Sequence, residues 1–409
     1  MQWGIPSQNE EDGPQGVADG VKDVTCWPSA LTIVSSWDRS LYNQFGVAQA
    51  EEQKTKGSNI ILGPMTNIAR VPVGGRNFES TGEDPVLASA YVSQYVKGVQ
   101  SQGIMACAKH YADNNQESSR GTVSAIVDER TQWELYYPHF QAAIDAGVGS
   151  FMCSYNKING TYACENDKIL NKDLKGKMGF KGFVMSDWGA THSTVQAANA
   201  GLDQEMPTSN FFGDALMSAI KAGQVPESRL TDMAQRILTP MFALGMFDRT
   251  NPGTTDTPAR STEHDTLSRV LAENTAVLLK NDGGILPIPS SVRSIAVIGK
   301  AGHWEPVVHG GGSGSVIPPY IITAFQGLEE AAPITTTVKY DDATDLQSAL
   351  KLAASSDVAI VVASVFSHEG QDRFDLLLGG GQDNLIEKIV QVQPRTIVVL
   401  DIAGAVEMP

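Results

Sequence analysis

Lys181-Gly-Phe-Val-Met-Ser-Asp-Trp-Gly-Ala-Thr-His192 is the stretch on which the reading of this chain turns. Phe183, Val184 and Met185 form an apolar run long enough for a buried strand, and the run stops abruptly at Ser186-Asp187-Trp188-Gly189. A carboxylate and an indole therefore stand together where a strand ends. In a (β/α) barrel, that end of a strand carries the chemistry. The competing assignment makes Asp187 the N-cap of the following helix and Trp188 a packing residue. These four residues alone leave both open.

On either side, short apolar runs alternate with amphipathic segments. Strands are expected over 59–63, 104–108 and 148–153. Helices are expected over 84–102, 130–146, 167–178, 194–200, 212–222 and 227–244, where apolar residues recur at three- and four-residue spacing. Asp84-Pro85 supplies an N-cap and a first helical residue. Leu202-Asp203 is expected to open one more short strand–helix step. Repeated strand–helix units imply a parallel sheet, although periodicity does not choose between a barrel and an open sheet. Residues 247–262 are polar, rich in Pro and Thr, and aperiodic, as expected of a linker. Beyond them, strands are expected over 294–299, 358–362 and 396–400, and helices over 263–280, 320–331, 343–354 and 384–392. That pattern predicts a second, doubly wound α/β unit. The expected division is 1–246, a linker 247–262, and 263–409.

The composition is that of a globular protein: 409 residues, 42% hydrophobic and 19% charged, enough for two or three domains. A net charge of −16 argues against a nucleic-acid partner and favours a neutral substrate over an anionic one. No apolar run approaches the roughly 18 residues of a membrane span. The four cysteines, Cys26, Cys107, Cys153 and Cys164, form no CxxC and no zinc-type spacing, so no metal is expected. Cys153 and Cys164 flank a polar loop that a disulfide could close in an oxidising compartment; two buried reduced thiols fit the spacing equally. Asn159-Gly160-Thr161 in that loop is a glycosylation sequon. No signal-type segment precedes Met1-Gln2-Trp3-Gly4, which implies an intracellular protein or a processed or truncated chain.

Five polar clusters follow strand ends or loops of the first unit: Glu11-Asp12-Gly13-Pro14; Gly74-Gly75-Arg76-Asn77-Phe78-Glu79; Lys109-His110-Tyr111 with Asn114, Asn115 and Arg120; Ser154-Tyr155-Asn156; and Ser186-Asp187-Trp188. A barrel gathers such ends on one face. Carboxylates, cations, amides and rings suit a neutral polyhydroxylated ligand, which needs directional donors and acceptors and flat apolar faces. Plainer alternatives stand beside some of them: Lys109-His110 as a satisfied buried pair and Arg76 as a surface turn, and Asp203-Gln204-Glu205 outside the five is open to reading as a strand end. In the second unit, His309 to Ser315 is glycine-rich but fits neither GxGxxG nor GxxxxGK[ST], so a nucleotide-binding protein is a weak alternative. Phe366 to Arg373 puts Glu369 in a Gly-containing loop after a strand, a suitable place for a carboxylic acid or merely a solvated charge.

Together these blocks closely resemble glycoside hydrolase family 3 of the β-glucosidase type, along nearly the whole chain and in the family's order. Gly63-Pro64, Met152 to Asn156, Gly201-Leu202-Asp203, Val277 to Asn281 with Leu286-Pro287, Gly312-Ser313-Gly314 and Ser367-His368-Glu369-Gly370 extend the match. The resemblance implies a (β/α)8-type (TIM-like) barrel followed by an αβα sandwich, with the site at their junction. It implies hydrolysis of β-glucosides with retention, with no metal or organic cofactor. Carried over by position, Asp187 is the nucleophile and Glu369 the general acid/base. Asp12, Arg76, Lys109, His110, Arg120, Tyr155, Trp188 and Ser313 line the subsite for the terminal sugar. Retention needs carboxyls roughly 5–5.5 Å apart with opposed protonation. Lys109, Arg120 and the Tyr155 hydroxyl are expected to favour the Asp187 anion, while a neighbouring anion and desolvation favour a protonated Glu369.

Within the family, Lys109-His110-Tyr111-Ala112 differs from the Lys-His-Phe-Pro-Gly type of motif of the N-acetylglucosaminidases. Asp12 favours glucose over xylose, leaving a β-xylosidase as the alternative. The segment before Glu11 and the stretch after Pro409 are shorter than in family members, so the barrel start and the sandwich end are expected to be incomplete. A catalytically silent sugar-binding fragment is the rival from another class. The sequon and the cysteine pair point to a secreted protein with a small-molecule β-glucoside or oligosaccharide as its partner; oligomeric state is not legible.

Overall fold

A computed structural model describes residues 4–250 and 253–408. Met1-Gln2-Trp3, linker positions 251 and 252, and Pro409 lie outside the described residues. In the first unit, β1 (Glu10–Asp12), β2 (Ile60–Leu62), β3 (Met105–Tyr111), β4 (Ser150–Cys153) and β5 (Phe183–Ser186) form one parallel sheet whose spatial order is the chain order. Each parallel step needs a crossover. The first three are made by α1 (Arg39–Thr55), α2 (Pro85–Ser101) and α3 (Pro138–Asp145), the fourth by a helical segment over Lys168–Lys177. Because the order never reverses, every crossover advances in the same direction around the sheet.

Both faces of β2 to β5 are buried, which explains why apolar runs mark these strands, whereas the acidic β1 is only partly buried. Ile61, Ala106, Ala108, Phe151 and Val184 pack toward the helices with Phe45, Tyr91 and Tyr95. On the other face, Ile60, Leu62, Met105, Cys107, Met152, Phe183 and Met185 pack with Met241 and Met246. Met241 belongs to α4 (Glu227–Ala243), which thus packs on that face. Burying each such side chain is worth about 1.5–3 kcal/mol.

Three expected elements differ. Leu202-Asp203 forms no strand; the outer edge of β5 carries only a single bridge, Met185 to Gln204, and Gln204 Nε2 reaches Glu10 Oε1 of β1 at 3.4 Å. The helix expected over 130–146 breaks at Pro138. Gln132–Tyr136 is π-helical, with the Tyr137 N–H donating to the Gln132 carbonyl, because proline has no N–H to continue the ladder. The helix expected over 263–280 is α5 (Thr262–Thr275), which stops at Ala276. Its last apolar residues, Val277, Leu278 and Leu279, are consecutive rather than spaced for one helix face, and they are exposed.

The second unit holds β6 (Ser294–Ile298), β7 (Thr337–Asp341), β8 (Val358–Val365) and β9 (Thr396–Ile402) in the order β7-β6-β8-β9, all parallel. The order reverses at β6, leaving a switch point between β6 and β8, where a doubly wound sheet presents its loops for binding. The Glu369 loop follows β8. Among the described residues, no helix is long and apolar enough to cross a membrane.

One buried charge cluster anchors the strand that carries Asp187. Asp203 is fully buried, takes two bonds from Lys175 Nζ at 2.9 and 2.8 Å and one from Arg229 Nη2 at 2.6 Å, and accepts the Val184 N–H at 2.9 Å. Removing it strands two largely buried cations, so Asp203→Ala should cost about 3–5 kcal/mol, read as a lower midpoint of urea unfolding.

Candidate active site

The site is assembled from strand ends. Asp12 terminates β1, Lys109 and His110 lie near the end of β3, Tyr155 follows β4, and Asp187 and Trp188 follow β5. No helix starts at Asp187; the next begins at Val195 with Thr194 before it, so the capping alternative falls. Strand alternation would send Lys109 and His110 to opposite faces. A register shift prevents this: Lys109 pairs with Met152 and Tyr111 with the next residue, Cys153, so His110 is the extra residue of a bulge. A disulfide joins Cys153 to Cys164, with Cα atoms 5.3 Å apart. The Cys153 carbonyl accepts the Asp187 N–H at 3.1 Å, which ties the loop bearing Tyr155 to the nucleophile candidate. The sequon residue Asn159 is exposed, and its amide bonds the Val127 backbone in both directions.

Arg76 is the centre of the charge network. Its Nε and Nη2 grip Glu79 at 2.9 and 2.8 Å, and Nη2 donates to Ser313 Oγ at 2.7 Å. Nη1 lies 3.4 Å from both His110 Nε2 and Glu369 Oε1. Burial opposes the guanidinium charge, but Glu79 and Glu369 outweigh it and hold Arg76 protonated. Asn67 determines the His110 tautomer. Its Nδ2 donates to the His110 carbonyl and its Oδ1 accepts the His110 N–H, so the His110 Nδ1 facing that oxygen at 3.3 Å must carry a proton. Burial, then Arg76, Lys109 and Arg120, push the imidazole well below its usual range, so it is neutral and its Nε2 accepts from Arg76. Lys109 Nζ pairs with Asp12 at 3.1 Å.

Asp187 is buried. Its Oδ1 accepts the Trp188 N–H at 2.8 Å, while Oδ2 has no hydrogen-bond donor and lies 3.4 Å from the acceptor nitrogen of His110. Burial raises its pKa, opposed by Arg76, Lys109, the Trp188 N–H and the Tyr155 hydroxyl. Glu369 is held in the opposite sense. Arg120 pairs with its Oε1 at 2.8 Å and the Ser313 N–H donates to Oε2 at 3.0 Å. Burial pushes this carboxyl up, but Arg76, the Ser313 amide, Arg120 and Lys109 prevail and bring it to about 2. The expected polarity, an anion favoured at Asp187 and a proton favoured at Glu369, is therefore corrected: burial raises Asp187 and the surrounding cations lower Glu369. Two guanidiniums converge on Glu369, and Arg120, expected beside Asp187, turns instead to Glu369, Glu117 and the Tyr155 ring. Trp188 leaves its indole 39% exposed, available as a stacking face.

The glycine-rich loop of the second unit serves close approach. A Cβ on Gly312, whose φ is +73°, would fall 2.3 Å from Glu369 Cβ, and one on Gly75 would fall 2.0 Å from the Gln371 carbonyl. Bare backbone at Gly312 lets the loop close on Glu369 within the second unit, while at Gly75, and at Gly310 against Phe78, it lets the two units meet, which removes the motive for a nucleotide reading. Glu79, Asn67, Glu117 and Asp372 belong to the network, although none was expected as a site residue. Glu79 and Asp372 each lie three residues after a residue that was, a spacing that could have flagged them. A cavity of about 1050 Å³ is lined by Trp27, Arg260, Tyr320 and Asp401 and excludes Asp187 and Glu369. The site is therefore assigned by convergence of charge rather than by volume. Among the described residues, no group of three or more His, Cys, Asp or Glu is arranged to hold a metal ion.

Fold and site together define a two-unit α/β protein with one acidic–basic site shared across its junction. The model of the glycosyl hydrolase family 3 N terminal domain matches residues 1–240, and that of the family's C-terminal domain matches 276–409. The chain belongs to glycosyl hydrolase family 3. It is 38% identical to a probable beta-glucosidase L of Emericella nidulans over 98% of this chain and 60% of that protein. It is also 38% identical to a thermostable beta-glucosidase B of Acetivibrio thermocellus, over 99% of this chain and 56% of that protein. Among solved structures, DesR, a beta-glucosidase of Streptomyces venezuelae in complex with D-glucose, superposes with a TM-score of 0.92 at 30% identity, covering 99% of this chain and 68% of DesR. The chain thus spans about 60% of the length of the curated relatives named here.

The Glu369 pairing has a pH signature. A carboxyl lowered from 4.5 to about 2 stabilises the fold above about pH 4.5 and loses that contribution as pH falls toward about 2. The gap in melting temperature between wild type and Glu369→Gln should be constant above that window and close within it.

Proposed function

We propose that this chain is the catalytic part of a retaining, exo-acting β-glucosidase that releases terminal glucose from short β-linked glucosides. The observation that carries this reading is that Arg76 Nη1 lies 3.4 Å from both Glu369 and His110, whose Nε2 is in turn 3.4 Å from Asp187, so the two carboxylates face one cluster. In this reading Asp187 attacks the anomeric carbon with Oδ2, the oxygen that no donor holds, while the Trp188 amide steadies Oδ1. Neutral His110 cannot quench that oxygen by donating to it. Lys109, Arg76, Asp12 and Tyr155 bind the sugar hydroxyls, Trp188 stacks on a sugar face, and Ser313 braces Arg76. Glu369 protonates the leaving oxygen and then activates water. Arg76 and Arg120 favour its anion, so a shift of these guanidiniums toward the sugar hydroxyls would favour the protonated form that the acid step needs.

We further infer that the first five strands belong to a (β/α)8-type barrel over 1–246, joined by the linker 247–262 to an αβα sandwich over 263–409. The chain-order sheet, the two buried faces of β2 to β5 and the Gln204–Glu10 link across the gap support this. The disulfide and the exposed sequon at Asn159 support secretion. The ion pairs of Glu369 favour a second reading, a sugar-binding protein without turnover.

Release of p-nitrophenol from its β-D-glucoside separates the two. Turnover is expected, with kcat falling at least about a thousandfold in Asp187→Asn; glucose binding by calorimetry without turnover supports the second reading. If Asp12 accepts from the 6-hydroxyl of glucose, the one that xylose lacks, Asp12→Ala should lower the glucoside-to-xyloside ratio of kcat/KM at least about tenfold.

A further inference from the structure

We propose that Asp372 is a positioning residue whose carboxylate latches the Glu369 loop onto two loops of the first unit and so sets where the Glu369 carboxyl stands. The inference rests on the reading of Glu369 as the acid/base. Asp372 Oδ1 accepts the Gly75 N–H at 3.0 Å and the Glu117 N–H at 2.8 Å, and Oδ2 accepts the Ser118 N–H at 2.8 Å. Three backbone donors from two separate loops thus converge on one anion. Bonds of that kind are the strong ones, because an ionised acceptor roughly doubles a neutral hydrogen bond. Each gripped loop carries a partner of Glu369: Gly75 precedes Arg76, and Glu117 and Ser118 precede Arg120. One carboxylate therefore fixes the distance between the acid and both of its cations.

The surrounding contacts run in the same direction. Ser367 Oγ donates to the Gly75 carbonyl at 2.7 Å and the Arg373 N–H to the Val73 carbonyl at 2.8 Å. Glu117 Oε2 takes the Gly370 N–H at 2.8 Å and Arg120 Nη1 at 2.7 Å. Among these, Asp372 alone gathers donors from both first-unit loops. Asparagine, the same size, would turn one acceptor edge into an N–H₂ group facing backbone donors. Asp372→Asn thus tests the charge and acceptor pattern rather than the volume.

The experiment uses the full chain as wild type, Asp372→Asn, Glu369→Gln and a control, Asp375→Asn, at an exposed position outside the site. Amide exchange at Gly75, Glu117 and Ser118 should speed up at least about tenfold in Asp372→Asn and stay unchanged in the control. Unchanged exchange in Asp372→Asn overturns the latch, whether or not the chain turns over substrate. The kinetic arm compares a 2,4-dinitrophenyl β-glucoside, whose leaving group needs no proton, with a methyl β-glucoside, whose leaving group does. A mispositioned acid should lower kcat/KM for the methyl glucoside at least about twentyfold and for the dinitrophenyl glucoside by less than about threefold. Equal losses on both substrates, or none, overturn the positioning role. If Glu369→Gln itself lacks this leaving-group dependence, the acid/base reading falls instead, and the exchange arm tells the two failures apart.

Discussion

A buried guanidinium must be compensated on every side, and Arg76 shows what that requires of a fold. Glu79 neutralises it through a bidentate pair inside the first unit. The remaining donor directions point to His110, Ser313 and Glu369. Two of those three belong to the second unit, so the junction is part of how one buried charge is satisfied. Stripping a partner from such a pair costs about 3–5 kcal/mol, because the ion left behind stays desolvated. The interface is thereby coupled to the site, and a shift of one unit against the other would be felt first at Arg76.

The same network explains the resting electrostatics. The cations of the site pair with its own carboxylates, Lys109 with Asp12 and Arg76 and Arg120 with Glu369. Glu369 takes the larger share and is held ionised, while Asp187, enclosed and short of donors, is pushed toward its proton. A neutral polyhydroxylated ligand offers a different set of acceptors to the same cations. The polarity is thus set by which groups those cations pair with, and a change in their partners would change it. His110 has a narrower part: with its Nδ1 proton committed to Asn67, it can only accept on the side facing Arg76 and Asp187.

Backbone proximity carries as much of the design as charge. Gly312 and Gly75 lie where the Glu369 loop touches the rest of the molecule, and a single methyl at either would collide with it. The β8 loop that carries Glu369 leaves the switch point of a doubly wound sheet, and the first unit meets it with the ends of a sheet whose order never reverses. Each topology presents strand ends, and the glycines let them approach.

Much of this was legible before any coordinates. The apolar runs at Ile60–Leu62, Met105–Ala108 and Phe183–Met185 marked buried strands, and Asp84-Pro85 marked a helix start, because these signals are local and repeat with the period of the element. Family membership was legible for the same reason: motif order is a property of the chain. Where a local rule meets a local exception, as at Pro138 or the consecutive apolar run Val277–Leu279, the helix is shorter than its periodicity implies. What the chain alone could not supply was the aim of its side chains. The bulge at His110 arises from pairing with β4, not from any residue in Lys109-His110-Tyr111. The turn of Arg120 toward Glu369, the protonation preferences of the two carboxyls, and the grip of Asp372 on Gly75, Glu117 and Ser118 join groups up to 297 residues apart. Sequence determined which chemistries stood at the strand ends; only the packing of two units decided which charges face one another, because burial and Coulomb energy depend on distance in space rather than along the chain.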